Sequence, residues 1–153
     1  MNTLLFFHSL FRWLVLGSLL YAIYRSYRGY FKHSPFTKTD DLVRHWTATI
    51  AHIQLLLGIV LYTQSDTVKA LFRAPGSGGR ITEPVFFGII HISLMLTAIV
   101  VVTIGSAKAK RVLFAHEKFR IMLISFSIAL LLIFMAIPWP FSPLALRPYL
   151  RSF

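Results

Sequence analysis

The chain contains no cysteine. That one absence excludes disulfides, thiolate metal sites, iron–sulfur clusters and covalently attached c-type haem, so any metal chemistry must use histidine, carboxylate or carbonyl ligands. Acidic residues are also scarce, with five Asp and Glu against sixteen Lys and Arg and a formal net charge of +11 over 153 residues. All five (Asp40, Asp41, Asp66, Glu83, Glu117) lie outside the long apolar cores. The basic excess carries no recognisable nucleic-acid-binding motif, so no nucleic acid is expected as a partner.

Apolar sequence is abundant: 56% of residues are hydrophobic and 14% charged. The apolar residues fall in runs of about 20, the length that crosses a ~30 Å hydrocarbon layer. Runs this long exclude barrel strands of about 10 residues, and a backbone in lipid must satisfy its own hydrogen bonds, so the spans are helices. The expectation is an all-α, integral membrane four-helix up-down bundle, one domain over residues 1–153, with helices at about 4–28, 42–64, 84–107 and 112–137. Pro138 stops the last of them.

Lys and Arg cluster after helix 1 (Arg25, Arg28, Lys32, Lys38, Arg44) and between helices 3 and 4 (Lys108, Lys110, Arg111, Lys118, Arg120). The positive-inside rule puts both connections in the cytoplasm and both termini on the outer, periplasmic side. The same basic loops suit anionic headgroups of the membrane lipid. Helix 1 does not read as a cleaved signal peptide, because its positive charges follow the apolar run and no small-residue cleavage site is present. Residues 65–83 are external, with an interfacial piece expected at 68–72 and a mobile Pro-Gly-rich loop at 75–79. Trp46 and Trp139 fall at the expected membrane interfaces, as anchors.

Against this background six histidines are conspicuous, and four of them, His8, His52, His91 and His116, are distributed one to each helix. An ionisable side chain in hydrocarbon is a functional candidate by default. With about 1.5 Å of rise per residue, His8 lies roughly 6 Å and His91 roughly 9 Å below the outer margin, on one level. His52 lies roughly 15 Å into helix 2, near the midplane, and His45 and His116 lie near the cytoplasmic margin. Helices 1 and 3 are diagonal in an up-down bundle, as are 2 and 4, and bundles build cofactor sites from facing helices. The outer pair is then His8 with His91, and the inner pair is His116 with His52 or His45. His45 and His52 share one helix face about 10 Å apart along the axis, too close for two stacked haems, so at most one of them is an inner ligand. The competing reading treats all of these as neutral imidazoles satisfied by bundle partners, with His33 in a solvated loop and His45 at the interface.

Arg12 sits one turn below His8 on the same helix face with no acidic residue in any span to neutralise it. A haem propionate or a quinone carbonyl supplies the missing acceptor, whereas snorkelling to lipid phosphate is the plainer alternative. Small residues on the same faces, Ala22 and Ser26 on helix 1 and Ala98 and Gly105 on helix 3, leave room for a flat cofactor or for ordinary helix contacts.

The segments His8 to Trp13 (HSLFRW), Arg44 to His52 (RHWTATIAH), Ile104 to Lys110 (IGSAKAK) and Ile137 to Phe141 (IPWPF) resemble small bacterial membrane proteins labelled cytochrome b. More broadly the layout is similar to four-helix di-haem b-type cytochromes of the bacterial inner membrane, which exchange electrons between a quinone and a partner. The resemblance implies a multi-pass inner-membrane protein with one or two haem b groups, whose iron ligands would be His8, His91, His52 and His116. His116 departs from that pattern by lying at the membrane edge. It also implies a quinone, with a respiratory-complex partner or a homo-oligomer as its context. Two axial imidazoles saturate the iron, so the implied chemistry is electron transfer and any enzymatic activity is quinone-linked oxidoreduction. The main rival is a cofactor-free structural or assembly subunit of a larger membrane complex. A small transporter ranks last, because neither an inverted repeat nor a broken helix is visible.

Overall fold

The computed structural model describes residues 2–73 and 81–140. The Gly-rich segment 75–79 and the last residues of the chain, including Phe141, lie outside them. The described residues are all-α, helices joined by short turns with no strand among them, and four helices are long and apolar enough to cross a membrane: helix 1 (Asn2–Phe31), helix 2 (Lys38–Gln64), helix 3 (Glu83–Arg111) and helix 4 (Ala115–Ala136). Their outward surfaces carry Leu20, Tyr24, Leu56, Val100, Leu131 and Met135 in the open. Apolar exposure of that extent on every helix is tolerable only in lipid. The protein is a multi-pass membrane protein.

Helix ends are written in the local sequence. Helix 1 closes in a Schellman arrangement, with Ser34 N–H donating to the Gly29 carbonyl (3.1 Å) and His33 N–H to the Tyr30 carbonyl (3.4 Å). The residue in the left-handed position is His33, with φ of 51°, where glycine is usual. Thr37, three residues after Ser34, caps the start of helix 2 in a capping box. Asp40 N–H donates to Thr37 Oγ1, and Thr37 N–H donates to Asp40 Oδ2 at 2.8 Å. Arg25 Nε donates to Asp40 Oδ1 at 2.7 Å, so the cap also ties helix 1 to helix 2. Helix 2 therefore begins at Lys38, four residues before its expected start, because the cap carries the helix beyond its apolar core. Val112 turns extended and ends helix 3, and helix 4 begins only at Ala115.

Short connections join helices 1 to 2 and 3 to 4, so these neighbours run antiparallel, and helix 4 packs back on helix 1 to close the ring. Helices 1 and 3 stand on one diagonal, helices 2 and 4 on the other. The seam is lined by small residues, Ala22, Ala48, Ala51, Ala98, Ala109 and Ala129, around Leu19, Val102, Met122 and Phe126. Lipid supplies no hydrophobic drive between helices, so close approach of small residues and complementary packing must hold them together. At the basic end Arg44 is buried, with Nη1 donating to Ser106 Oγ (2.7 Å) and Nη2 paired with Asp41 (2.9 Å). That arginine joins helix 2 to helix 3 in place of facing solvent.

The opposite end, where helix 1 begins and helix 4 stops before Pro138, carries a short connecting helix, Asp66–Arg73, which spans the expected interfacial piece. Its Val68 is buried, and its Leu71 rests against Gly88, where an added Cβ would come within 2.6 Å of Leu71 Cδ2.

Two further glycines make helix contacts that no larger residue fits: Gly29 lies under the buried ring of Phe119, and Gly105 lies against Ser125. Gly105→Val is expected to destabilise the bundle by about 1–3 kcal/mol, the usual cost of overpacking. Its melting temperature in detergent should fall below wild type, and an unchanged value would show that helices 3 and 4 separate there without penalty.

Candidate functional site

A cavity of about 370 Å³ runs from the connecting helix inward between the four spans. That size is in the range of small-molecule and cofactor sites. Its wall is mostly aliphatic, from Val15, Leu55, Leu61, Met95, Ile99 and Ile133. Polar side chains also line it: His8, Ser9 and Arg12 of helix 1, Gln54 and Tyr62 of helix 2, Ser65, Asp66 and Thr67 at the connecting helix, and His91 of helix 3. Two imidazoles from diagonal helices thus meet one cavity.

His91 is held tightly. It closes a π-helical turn, Phe86–His91, that follows Pro84 at the start of helix 3. Such wide turns occur mostly as single insertions within α-helices and frequently at functional sites. Tyr62 Oη donates to the Gly88 carbonyl in this turn at 3.0 Å, and Phe86 and Phe87 stand with ring centroids 6.1 and 6.0 Å from that of His91. The His91 Nδ1–H donates to the Ala136 carbonyl at the end of helix 4, at 2.8 Å. That bond fixes the ring and the tautomer, and Nε2 is left with its lone pair. Metal-binding histidines characteristically donate their second nitrogen to a carbonyl or carboxylate in this way.

His8 is held from helix 2. Gln54 Nε2 donates to the His8 backbone carbonyl at 3.0 Å and stands 3.4 Å from the His8 ring Nε2. Gly58, one turn on, gives the ring its room, since a Cβ there would lie 3.3 Å from His8 Cε1. Among the described residues, His8 Nδ1 and Gln54 Oε1 are buried side-chain atoms without a hydrogen-bond partner. Buried polar atoms left over in this way call for a ligand or a water. Arg12 lines the same cavity with its guanidinium carbon 5.5 Å from the Trp13 ring centroid.

The other two histidines go elsewhere. His52 does not line the cavity: its Nδ1 lies 2.7 Å from the Ala48 carbonyl on its own helix, and its Nε2 lies 3.1 Å from Thr103 Oγ1 on helix 3. His116 is exposed at the basic end, stacked on Tyr30 (4.1 Å between centroids) and on His33 (5.1 Å). His45 is exposed beside Trp46. The expected outer pair shares a cavity, and the members of the expected inner set each face different partners. Among the described residues no group of three or more His, Cys, Asp and Glu is arranged to hold a metal ion. Two imidazoles are the number that an iron already held by a macrocycle requires.

Sequence reasoning passed over Gln54 as a neighbour of His8, and Gly58, Tyr62 and the π-helical turn altogether. The signal for the helix 2 residues was present: Ala51, Gln54, Leu55, Gly58, Leu61 and Tyr62 repeat at helical spacing on one face, which His52 does not share. No protein-family model, curated protein or solved structure matches the chain.

The Tyr62 bond makes a direct prediction. Tyr62→Phe removes the donor to the Gly88 carbonyl and is expected to weaken the π-helical turn by about 1 kcal/mol. Amide exchange at the start of helix 3 should accelerate about fivefold. Unchanged exchange there would show that the turn stands without this bond.

Proposed function

We propose that this protein is a b-type cytochrome in which His8 and His91 ligate the iron of one haem b, and that it carries electrons between a quinone and an external partner. The observation that carries the reading is the pair of imidazoles from diagonal helices on one apolar cavity, with the His91 ring fixed so that its Nε2 is available. The leftover buried atoms of His8 and Gln54 and the chemistry of the donor set fit such a group.

Haem bound there, its iron held by His8 and His91, would supply a one-electron couple. The chain's own residues do the rest. Ala136 and Gln54 orient the two imidazoles, and the aliphatic wall excludes water, which lowers the local dielectric and makes the couple sensitive to nearby charge. Arg12 places a cation in that wall for a carboxylate of the haem or a quinone carbonyl, and a positive charge there favours the reduced form. The distribution of Lys and Arg supports an orientation with both termini on the periplasmic side of a bacterial inner membrane. Basic loops on the other side suit anionic lipid, and a respiratory complex or a second copy of the chain supplies the setting. His52 and His116 have partners of their own, so the reading is of one haem per chain.

Reduced-minus-oxidised spectra and a pyridine haemochrome assay on the detergent-purified protein test this. The expected outcome is about one haem b per chain, lost in His8→Ala and in His91→Ala and retained in His52→Ala and His116→Ala. A colourless wild type from haem-replete cells overturns the reading and leaves the histidines a packing role. Retention in His8→Ala with loss in His52→Ala or His116→Ala overturns the ligand assignment.

A further inference from the structure

We propose that Gln54 is a positioning residue for His8, and that its carboxamide sets which nitrogen of that imidazole carries the proton. A carboxamide NH₂ has two donors and its oxygen has none. The 3.0 Å contact of Gln54 Nε2 with the His8 backbone carbonyl fixes the orientation of the amide, because the opposite orientation would set oxygen against oxygen. One N–H is then committed to that carbonyl, and the other is the group facing the His8 ring Nε2 at 3.4 Å. A donor facing Nε2 requires a lone pair there. The ring proton is therefore on Nδ1, the atom that is buried without a hydrogen-bond partner.

The consequence joins the two halves of the cavity. The Ala136 carbonyl draws the His91 proton to Nδ1 by accepting it, and Gln54 excludes the His8 proton from Nε2 by donating. Opposite devices on two helices produce the same tautomer, and both imidazoles keep the lone pair on Nε2. An iron held between two imidazoles asks for electron pairs from both; His91 Nε2 offers its pair directly, and at His8 the Gln54 N–H must leave Nε2 before that pair reaches a metal. The depth of Gln54 in an apolar span has the same explanation: a polar side chain in lipid is retained where it has a partner that needs it.

This inference rests on the haem reading only for the use made of Nε2, so its test uses haem-free protein. Nitrogen-15 NMR of histidine-labelled protein in detergent, with His8 assigned by its loss in His8→Ala, reports the tautomer of that ring. The wild type is expected to show His8 with its proton on Nδ1. Gln54→Met keeps the side-chain length and removes both donors, and it should shift the tautomer ratio toward the Nε2 proton by about tenfold, the equivalent of one hydrogen bond. Gln54→Glu replaces the donor with an acceptor and should shift it the same way. A wild-type His8 protonated on Nε2, or a ratio unchanged in both variants, overturns the proposal. The wild-type measurement alone decides it if the variants do not fold. A colourless wild type with the Nδ1 tautomer would sink the haem reading and leave this one standing.

Discussion

In an apolar slab a polar group must find its partner inside the protein, and most of what distinguishes this bundle follows from that requirement. Several hydroxyls within the spans fold back on their own helices: Ser26 donates to the Ala22 carbonyl (2.7 Å), Thr97 to that of Ser93 (2.8 Å) and Ser125 to that of Ile121 (2.7 Å), whereas Thr47 donates across to the Ser18 carbonyl of helix 1 (3.3 Å). Where the helix itself is irregular, a side chain from a neighbour completes it, as Tyr62 does for Gly88. The carbonyl of Ala136, at the last turn of helix 4, is taken by His91. Against that economy, among the described residues, His8 Nδ1 and Gln54 Oε1 are buried without a partner on one cavity wall.

The two ends of the bundle solve different problems. The basic end is closed by charge: Arg25 with Asp40, Arg44 with Asp41 and Ser106, and the capping box beneath them. Arg25 with Asp40 ties helix 1 to helix 2, and Arg44 ties helix 2 to helix 3 through Ser106. The other end is closed by packing, with Leu71 on Gly88 and Val68 turned inward, and it is there that the cavity opens toward the connecting helix.

Several particular residues show how far reasoning from sequence reached. Depth along a helix is simple arithmetic, and it put His8 and His91 on one level, consistent with the cavity they share. Azimuth was not used for helix 2, and there it mattered: His52 is at a plausible depth but on a face that looks to Thr103, whereas Gln54 and Gly58 look to His8. His116 was legible as a residue at the membrane edge, but its stack on Tyr30 and His33 depends on a left-handed residue closing helix 1, a position where glycine is usual and His33 stands instead. The π-helical turn under His91 leaves no compositional mark at all.

By itself the sequence determined the class, the number of spans and their alternation, because hydrocarbon thickness and the cost of unpaired backbone groups act on run length and composition alone. It also determined that any metal site must use histidine, carboxylate or carbonyl ligands, by the absence of cysteine. Only the tertiary structure decided which histidines share a cavity and which of their nitrogens are spoken for. Those depend on the rotation of each helix about its axis and on single hydrogen bonds across helices, from Ala136 and Gln54, between residues far apart in the chain.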